Sequence, residues 1–384
     1  MTVTKDIIQV GVNDRTLDLF EGQYIVPEGM AYNSYLIKDE KIAVMDSVEG
    51  GFSAEWLKNI EAASDGREPD YLIVQHMEPD HSSSITAFME KYPRAVIAAS
   101  SKAFPMLKNF YSAEYPDRQL VISDGDTLEL GRHILGFIAA PMVHWPEVMM
   151  TYDRTDKVFF SADAFGKFGA SDAEEDWACE ARRYYFGIVG KYGAQVQALL
   201  KKAANLEIDA ICPLHGPVLT ENLPYYINLY DIWSSYGVES EGVVINYTSV
   251  YGNTEKAAKL LAQKLEAKGC PKIALNDLAR CDMAEAVEDT FRYGKIVLAT
   301  TTYNGDIFPF MRQFIGDLTE RGIKNKKIAL IENGSWGPMA IKKMTAMLEG
   351  MKNIEYAENQ VTIKSALSPE SEAAIEALAD ELMK

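Results

Sequence analysis

Over residues 32–217 the apolar positions fall in short runs or alternate with polar ones, the pattern of strands buried on one or both faces. Strands are predicted at 32–37, 41–46, 71–75 and 95–99, and again at 119–122, 127–130, 133–139, 148–152 and 157–161. Turns such as Lys38-Asp39-Glu40 and helix-like stretches at 53–62 and 85–92 separate them. Strands this dense, with helices between, predict two sheets covered by helices on their outer faces.

Past residue 229 the pattern changes. Tyr230-Asp231-Ile232-Trp233 and the acidic Glu239-Ser240-Glu241 mark a domain boundary, and beyond it strands alternate with helices. The strands are 242–247, 272–276, 295–299, 327–332 and 360–364. The helix 254–268 carries Ala257, Leu261 and Leu265 on one stripe and stops at Gly269, and the last helix opens on Ser368-Pro369. Five βα units predict a doubly wound, five-stranded parallel sheet, with domains at 1–238 and 239–384.

Composition excludes more than it selects. A chain of 384 residues has room for two cores. No apolar run approaches the roughly eighteen residues of a membrane span, and the start of the chain has no apolar signal core. The expectation is a soluble, cytoplasmic protein. A formal charge of −18, with no stripe of Lys and Arg, argues against nucleic acid or an anionic membrane as partner. The four cysteines, Cys179, Cys212, Cys270 and Cys281, include no CxxC pair, so they read as reduced structural thiols and no rubredoxin-type iron site is expected.

The densest chemistry follows the strand 71–75. Gln75-His76-Met77-Glu78-Pro79-Asp80-His81 places His76, Glu78, Asp80 and His81 within six residues, and the chain has only five histidines. Period two would send His76, Glu78 and Asp80 to one side, with His81 turning in from the other. Imidazoles and carboxylates without thiolate suit iron, manganese or zinc. The bland alternative, a polar loop capping the next helix, would not need this concentration of ligands. His144 in Pro141-Met142-Val143-His144-Trp145-Pro146, Asp163 after the strand 157–161, and His215 in Cys212-Pro213-Leu214-His215-Gly216 also lie where strands end and loops converge. His133, at a strand start without a nearby second ligand, is expected to be structural or exposed. Tyr192 and Trp145 are aromatic residues that could line the pocket.

In the C-terminal part Thr248-Ser249-Val250-Tyr251-Gly252-Asn253-Thr254 leads into a helix. Hydroxyls, a glycine and helix-terminal N–H groups form a phosphate cradle without a basic residue, and an FMN phosphate would fit. Thr300-Thr301-Thr302-Tyr303-Asn304-Gly305-Asp306 and Asn333-Gly334-Ser335-Trp336-Gly337-Pro338 follow the third and fourth strands. Tyr303 and Trp336 could flank a flat ring there, with Asn304, Gly305 and Gly337 admitting backbone groups to its edge.

The series HxExDH, His, Asp, His resembles the metallo-β-lactamase superfamily, an αββα sandwich, with Glu78 where a second His is usual. That replacement, together with loops that resemble flavodoxin's, is similar to the flavodiiron proteins, also called A-type flavoproteins, in their two-domain form. The resemblance covers nearly the whole chain, although Val250-Tyr251 stands where flavodoxins usually carry two threonines.

The resemblance implies His76, Glu78 and His144 on one iron, Asp80, His81 and His215 on the other, Asp163 bridging, and FMN in the second domain. It implies reduction of O2 to water or of NO to N2O. Reduced FMN and two ferrous irons together hold the four electrons that O2 requires, and two NO need only two. It further implies rubredoxin or reduced F420 as electron donor, and a head-to-tail homodimer or a dimer of dimers that brings one subunit's flavin to the other's irons. The alternative is a zinc hydrolase fused to a flavodoxin-like domain, which leaves the second domain idle and would ordinarily carry His at position 78.

Overall fold

The strand Tyr71–Val74 lies in the middle of a sheet because all four of its residues are apolar or aromatic and can be covered on both faces. In the computed structural model, which describes residues 2–384, that sheet runs in the order Ile7–Gln9, Tyr35–Ile37, Ala43–Met45, Tyr71–Val74, Val96–Ser100, Gln119–Ile122. A second sheet runs Thr127–Glu129, Ile134–Ala139, Met149–Asp153, Val158–Phe160, Ala210–Cys212. The last two strands pair in parallel and the others of this sheet are antiparallel. Both belong to the first of two compact units, Met1–Asp231 and Ile232–Lys384.

Alternation decides what the sheets bury. Tyr35, Ile37, Ala43, Met45 and Ile73 from one sheet meet Leu135, Phe137, Val158, Phe160 and Cys212 from the other in a single core. Removing a large apolar side chain of this kind from water contributes about 1.5–3 kcal/mol. On the helix Ser53–Ala63, Trp56 and Ile60 are one turn apart and buried, and the Trp56 ring packs 5.6 Å from that of Phe88 on the helix Ile85–Lys91.

One local expectation changes and a second is narrowed. The strand predicted at 32–37 is two strands, Met30–Tyr32 and Tyr35–Ile37, in different sheets. Asn33 breaks the run: its amide nitrogen donates to the Pro213 and Gly216 carbonyls, and its N–H donates to the Leu214 carbonyl. The segment between the strands is thus tied to the loop that carries His215. Of the two readings open for His133, structural or exposed, the buried structural one holds: its Nδ1 lies 2.8 Å from Asp153 Oδ2, a carboxylate contributed by the neighbouring strand.

The second unit orders its parallel strands Ile273–Asp277, Ser240–Tyr247, Tyr293–Tyr303, Lys326–Asn333, with the fifth position shared by two short strands, Ile354–Tyr356 and Val361–Ile363. The strand order reverses beside Ser240–Tyr247, and a crevice opens at the carboxyl ends there. Asn304-Gly305 turns Tyr293–Tyr303 back into the short strand Asp306–Ile307; both residues have positive φ, as a tight hairpin turn requires. The last helix, Pro369–Leu382, begins with Ser368 accepting from Ser371 N–H in a reciprocal capping box.

Candidate metal centre and cofactor pocket

The loop after Tyr71–Val74 does not continue with period two. Pro79 starts a helical turn, Pro79–Ser82, which its fixed φ favours, and the turn swings Asp80 and His81 away from His76 and Glu78. One stretch therefore supplies two clusters. His76, Glu78, His144 and Asp163 form the first, and Asp80, His81 and His215 the second, each with its ligand atoms within 4.8 Å of one another.

Asp163 lies between them. Its Oδ2 is 2.9 Å from His144 Nε2 and 3.4 Å from His76 Nε2, while its Oδ1 is 3.5 Å from His81 Nε2 and 3.7 Å from His215 Nε2. Glu78 Oε2 is 3.0 Å from His144 Nε2 and 3.2 Å from His76 Nε2. In the second cluster Asp80 Oδ2 is 3.1 Å from His81 Nε2 and 3.3 Å from His215 Nε2.

The outward nitrogens decide which ones face inward. His215 Nδ1 donates to the Ala31 carbonyl at 2.7 Å, and His76 Nδ1 to Glu147 Oε1 at 2.8 Å, which leaves Nε2 of each ring facing the cluster as the atom that would bind a metal. Both oxygens of Asp80 and Oδ1 of Asp163 are buried without a hydrogen-bond partner. Acceptors facing acceptors at this depth repel one another unless cations lie between them.

The titration shifts have the same origin. For Asp163 burial alone would raise the pKa, but the imidazoles of His76, His144 and His81 outweigh it and hold the carboxyl well below its usual range. For His144 burial disfavours the charged ring, yet hydrogen bonds to Asp163 and Glu78 lift its pKa to about 9. Negative potential converges where the ring nitrogens point, and metal ions there would take the place of protons.

Further side chains surround the clusters. Glu147 is buried and oriented by Met77 N–H at 2.9 Å, and burial, which would raise its pKa, is overcome by the His76 hydrogen bond. Tyr184 lies 5.3 Å, ring to ring, from His215, and Phe20 lies 5.4 Å from it. Trp145 packs edge-on against His76 at 5.1 Å, as a pocket-lining residue would. Tyr192 is half-buried, its ring under Lys191 Nζ. Spacing could not have found Glu147 or Tyr184, because Glu147 meets His76 from a separate loop and Tyr184 reaches His215 from the helix Trp177–Tyr184, both only in the folded chain.

In the second unit the three expected loops surround one cavity of about 540 Å3. Ser249, Val250, Tyr251, Asn253 and Thr254 line it from the first loop, Thr301 to Gly305 from the second, and Ser335, Trp336 and Gly337 from the third. Thr248 and Gly252 are not among its lining. The Thr248 hydroxyl is buried against Thr300 Oγ1 at 2.6 Å, and Gly252, at φ +83°, is the residue from which the helix Asn253–Ala267 departs. That helix start has no side-chain cap, so its first N–H groups are free to take an anion. Ser249 Oγ is buried with no partner. Asn333, Gly334 and Ser365 complete the lining, and Ser365 is held by Asn333, whose Nδ2 donates to its carbonyl at 2.9 Å. Ser365 was invisible in the sequence because its loop follows the broken fifth strand. An unpartnered hydroxyl beside open N–H groups fits a phosphate, and exposed Trp336 and Tyr303 fit a flat ring.

Comparison with known proteins agrees with both halves. Residues 30–216 match the model for the ODP family beta lactamase, and residues 244–349 the model for a flavodoxin domain. Over 385 residues the chain is 29% identical to the anaerobic nitric oxide reductase flavorubredoxin of Vibrio vulnificus, covering 97% of this chain and 76% of that one. Among solved structures it superposes on rubredoxin oxygen:oxidoreductase from Desulfovibrio gigas with a TM-score of 0.91, at 25% identity over 100% of this chain and 97% of the other. On the flavodiiron protein of Giardia intestinalis the TM-score is 0.92, at 28% identity over 99% and 95%. A β-lactamase-like domain whose histidines and carboxylates gather into two adjoining clusters, followed by a flavodoxin domain with an open phosphate cradle, is the arrangement in which this chain is similar, over nearly its whole length, to a flavorubredoxin and to flavodiiron proteins.

Proposed function

We propose that this chain is an oxidoreductase that reduces O2 to water, NO to N2O, or both, at a non-haem diiron site fed with electrons through FMN. The observation that carries the reading is Asp163, whose two oxygens face two different clusters. Each cluster otherwise offers two imidazoles and one carboxylate, the donor set that suits ferrous iron with coordination positions left open. His76, Glu78 and His144 would hold one iron, Asp80, His81 and His215 the other, and Asp163 both. When bound, the iron pair supplies the binding positions for a diatomic gas and the flavin supplies reducing equivalents.

The chain's own residues fix the geometry. Glu147 and the Ala31 carbonyl hold His76 and His215 in the tautomer that presents Nε2. Tyr184, Phe20 and Tyr32 surround the second cluster with rings that limit water. Ser249 and the N-terminus of Asn253–Ala267 would take the flavin phosphate. This reading takes 1–238 for the metal site and 239–384 for FMN, a boundary seven residues past the division between the two compact units.

Two similar proteins are a flavorubredoxin and a rubredoxin oxygen:oxidoreductase, which supports a rubredoxin as donor, with reduced F420 the other candidate. A head-to-tail homodimer, or a dimer of such dimers, in the cytoplasm would bring one subunit's flavin to the other's irons. No helix among the described residues is long and apolar enough to cross a membrane. The test is metal and flavin analysis of the purified protein, then anaerobic photoreduction and separate addition of each gas. About two irons and one FMN per chain, with rapid reoxidation by O2 or NO, is the expected result. Zinc without turnover, in protein produced with iron available, would refute it.

A further inference from the structure

Phe159 and Ile211 are directly paired on the two strands whose following loops carry Asp163 and His215. Their neighbours Phe160 and Cys212 belong to the core between the sheets, so alternation sends Phe159 and Ile211 to the opposite face. There they join Phe165, Leu199 and Ala203 around a cavity of about 290 Å3. Every side chain lining it is hydrocarbon. A water inside would find no side-chain partner, whereas a buried water ordinarily makes about three hydrogen bonds.

The two ends of the cavity differ. Ala204 and Pro224 are exposed and form an outer mouth. Phe165 is buried, lies two residues after Asp163, stacks on Tyr230 at 4.1 Å between ring centroids, and donates its N–H to the Tyr230 hydroxyl. The cavity thus runs from solvent to the loop that holds the residue shared by the two clusters.

We propose that this cavity binds small, uncharged apolar gases and holds O2 or NO beside the Asp163 loop before reduction. The proposal rests on the functional reading above. A diatomic gas loses little hydration on entering and gains dispersion contacts with the hydrocarbon wall, whereas a guest with an amide or carboxylate would surrender hydrogen bonds that this lining cannot replace. At about 290 Å3 the space is also at the small end of pockets for organic ligands.

The experiment is xenon pressurisation of crystals of the full chain, paired with steady-state kinetics over a range of gas concentration. Xenon is expected in this cavity in the wild type and absent in Ala203→Phe, whose ring would fill it. That variant should show a several-fold higher KM for the gas, with kcat, iron content and FMN content unchanged. Should Ala203→Phe fail to fold, Leu206→Phe at the half-buried rim gives the same reading. No xenon in the wild-type cavity, or a filled cavity with an unchanged KM, overturns the proposal. Xenon uptake in a protein that turns over neither gas would refute the functional reading, and the gas-holding role with it, while showing that the cavity's chemistry was read correctly.

Discussion

Glu147 touches neither cluster's interior, yet it sets the orientation of His76, and its replacement should weaken one metal and spare the other. Its Oε1 receives both His76 Nδ1–H at 2.8 Å and Met77 N–H at 2.9 Å, and the residue is 3% exposed. Hydrogen bonds to a charged group contribute about 1.5–3 kcal/mol each. Losing the carboxylate behind a ligating histidine typically costs about 10–100-fold in metal affinity, or roughly 1.4–2.8 kcal/mol. Glu147→Gln keeps an acceptor but removes the charge, and should fall near tenfold; Glu147→Ala removes both and should approach a hundredfold.

The assay is anaerobic titration of the metal-stripped protein with ferrous iron, read as two stepwise affinities, with thermal unfolding as a control for fold. The expected result is one weakened affinity, that of the His76, Glu78 and His144 cluster, and one unchanged, because His81 and His215 make no contact with Glu147. Equal loss at both clusters, or no loss in the Ala variant, would sink the argument that this hydrogen bond positions His76.

Asp163→Ala should lower both affinities together, since one carboxylate faces both clusters, whereas His215→Ala should affect chiefly one; the same titration distinguishes them. Ser249→Ala should weaken FMN binding by about tenfold or more if its unpartnered hydroxyl meets the phosphate, measured by quenching of flavin fluorescence, and an unchanged Kd would remove Ser249 from the site. Lys326 is buried with Nζ donating to the Phe291 and Tyr293 carbonyls at 2.8 and 2.6 Å, and burial lowers its pKa to about 7 with only partial opposition from Glu239. Between that value and the ordinary lysine value the unfolded chain binds the extra proton, so this residue makes stability rise as pH rises from about 7 toward about 10. Lys326→Met should flatten that rise in urea unfolding of the second unit, and an identical pH slope in the variant would refute it.

The sequence by itself determined the pieces that depend on short spacing. His76, Glu78, Asp80 and His81 lie within six residues, and the loop 248–254 joins a strand to a helix, so their chemistry is written in nearest neighbours. Period two and period 3.6 likewise marked most strands and helices, because burial of one face is a local pattern. Local pattern failed where a side chain served a distant partner. Asn33 split an apparent strand to bind the loop of His215, and Pro79 turned a period-two loop into helix. Only the tertiary structure decided that Asp163 faces two clusters, that Glu147 stands behind His76, that Thr248 turns inward while Ser249 is left unpartnered, and that Ser365 completes the cofactor pocket. Strand order and register bring those residues together, and they are fixed by how two sheets bury a shared core, a condition spread over the whole chain rather than carried by any one stretch of it.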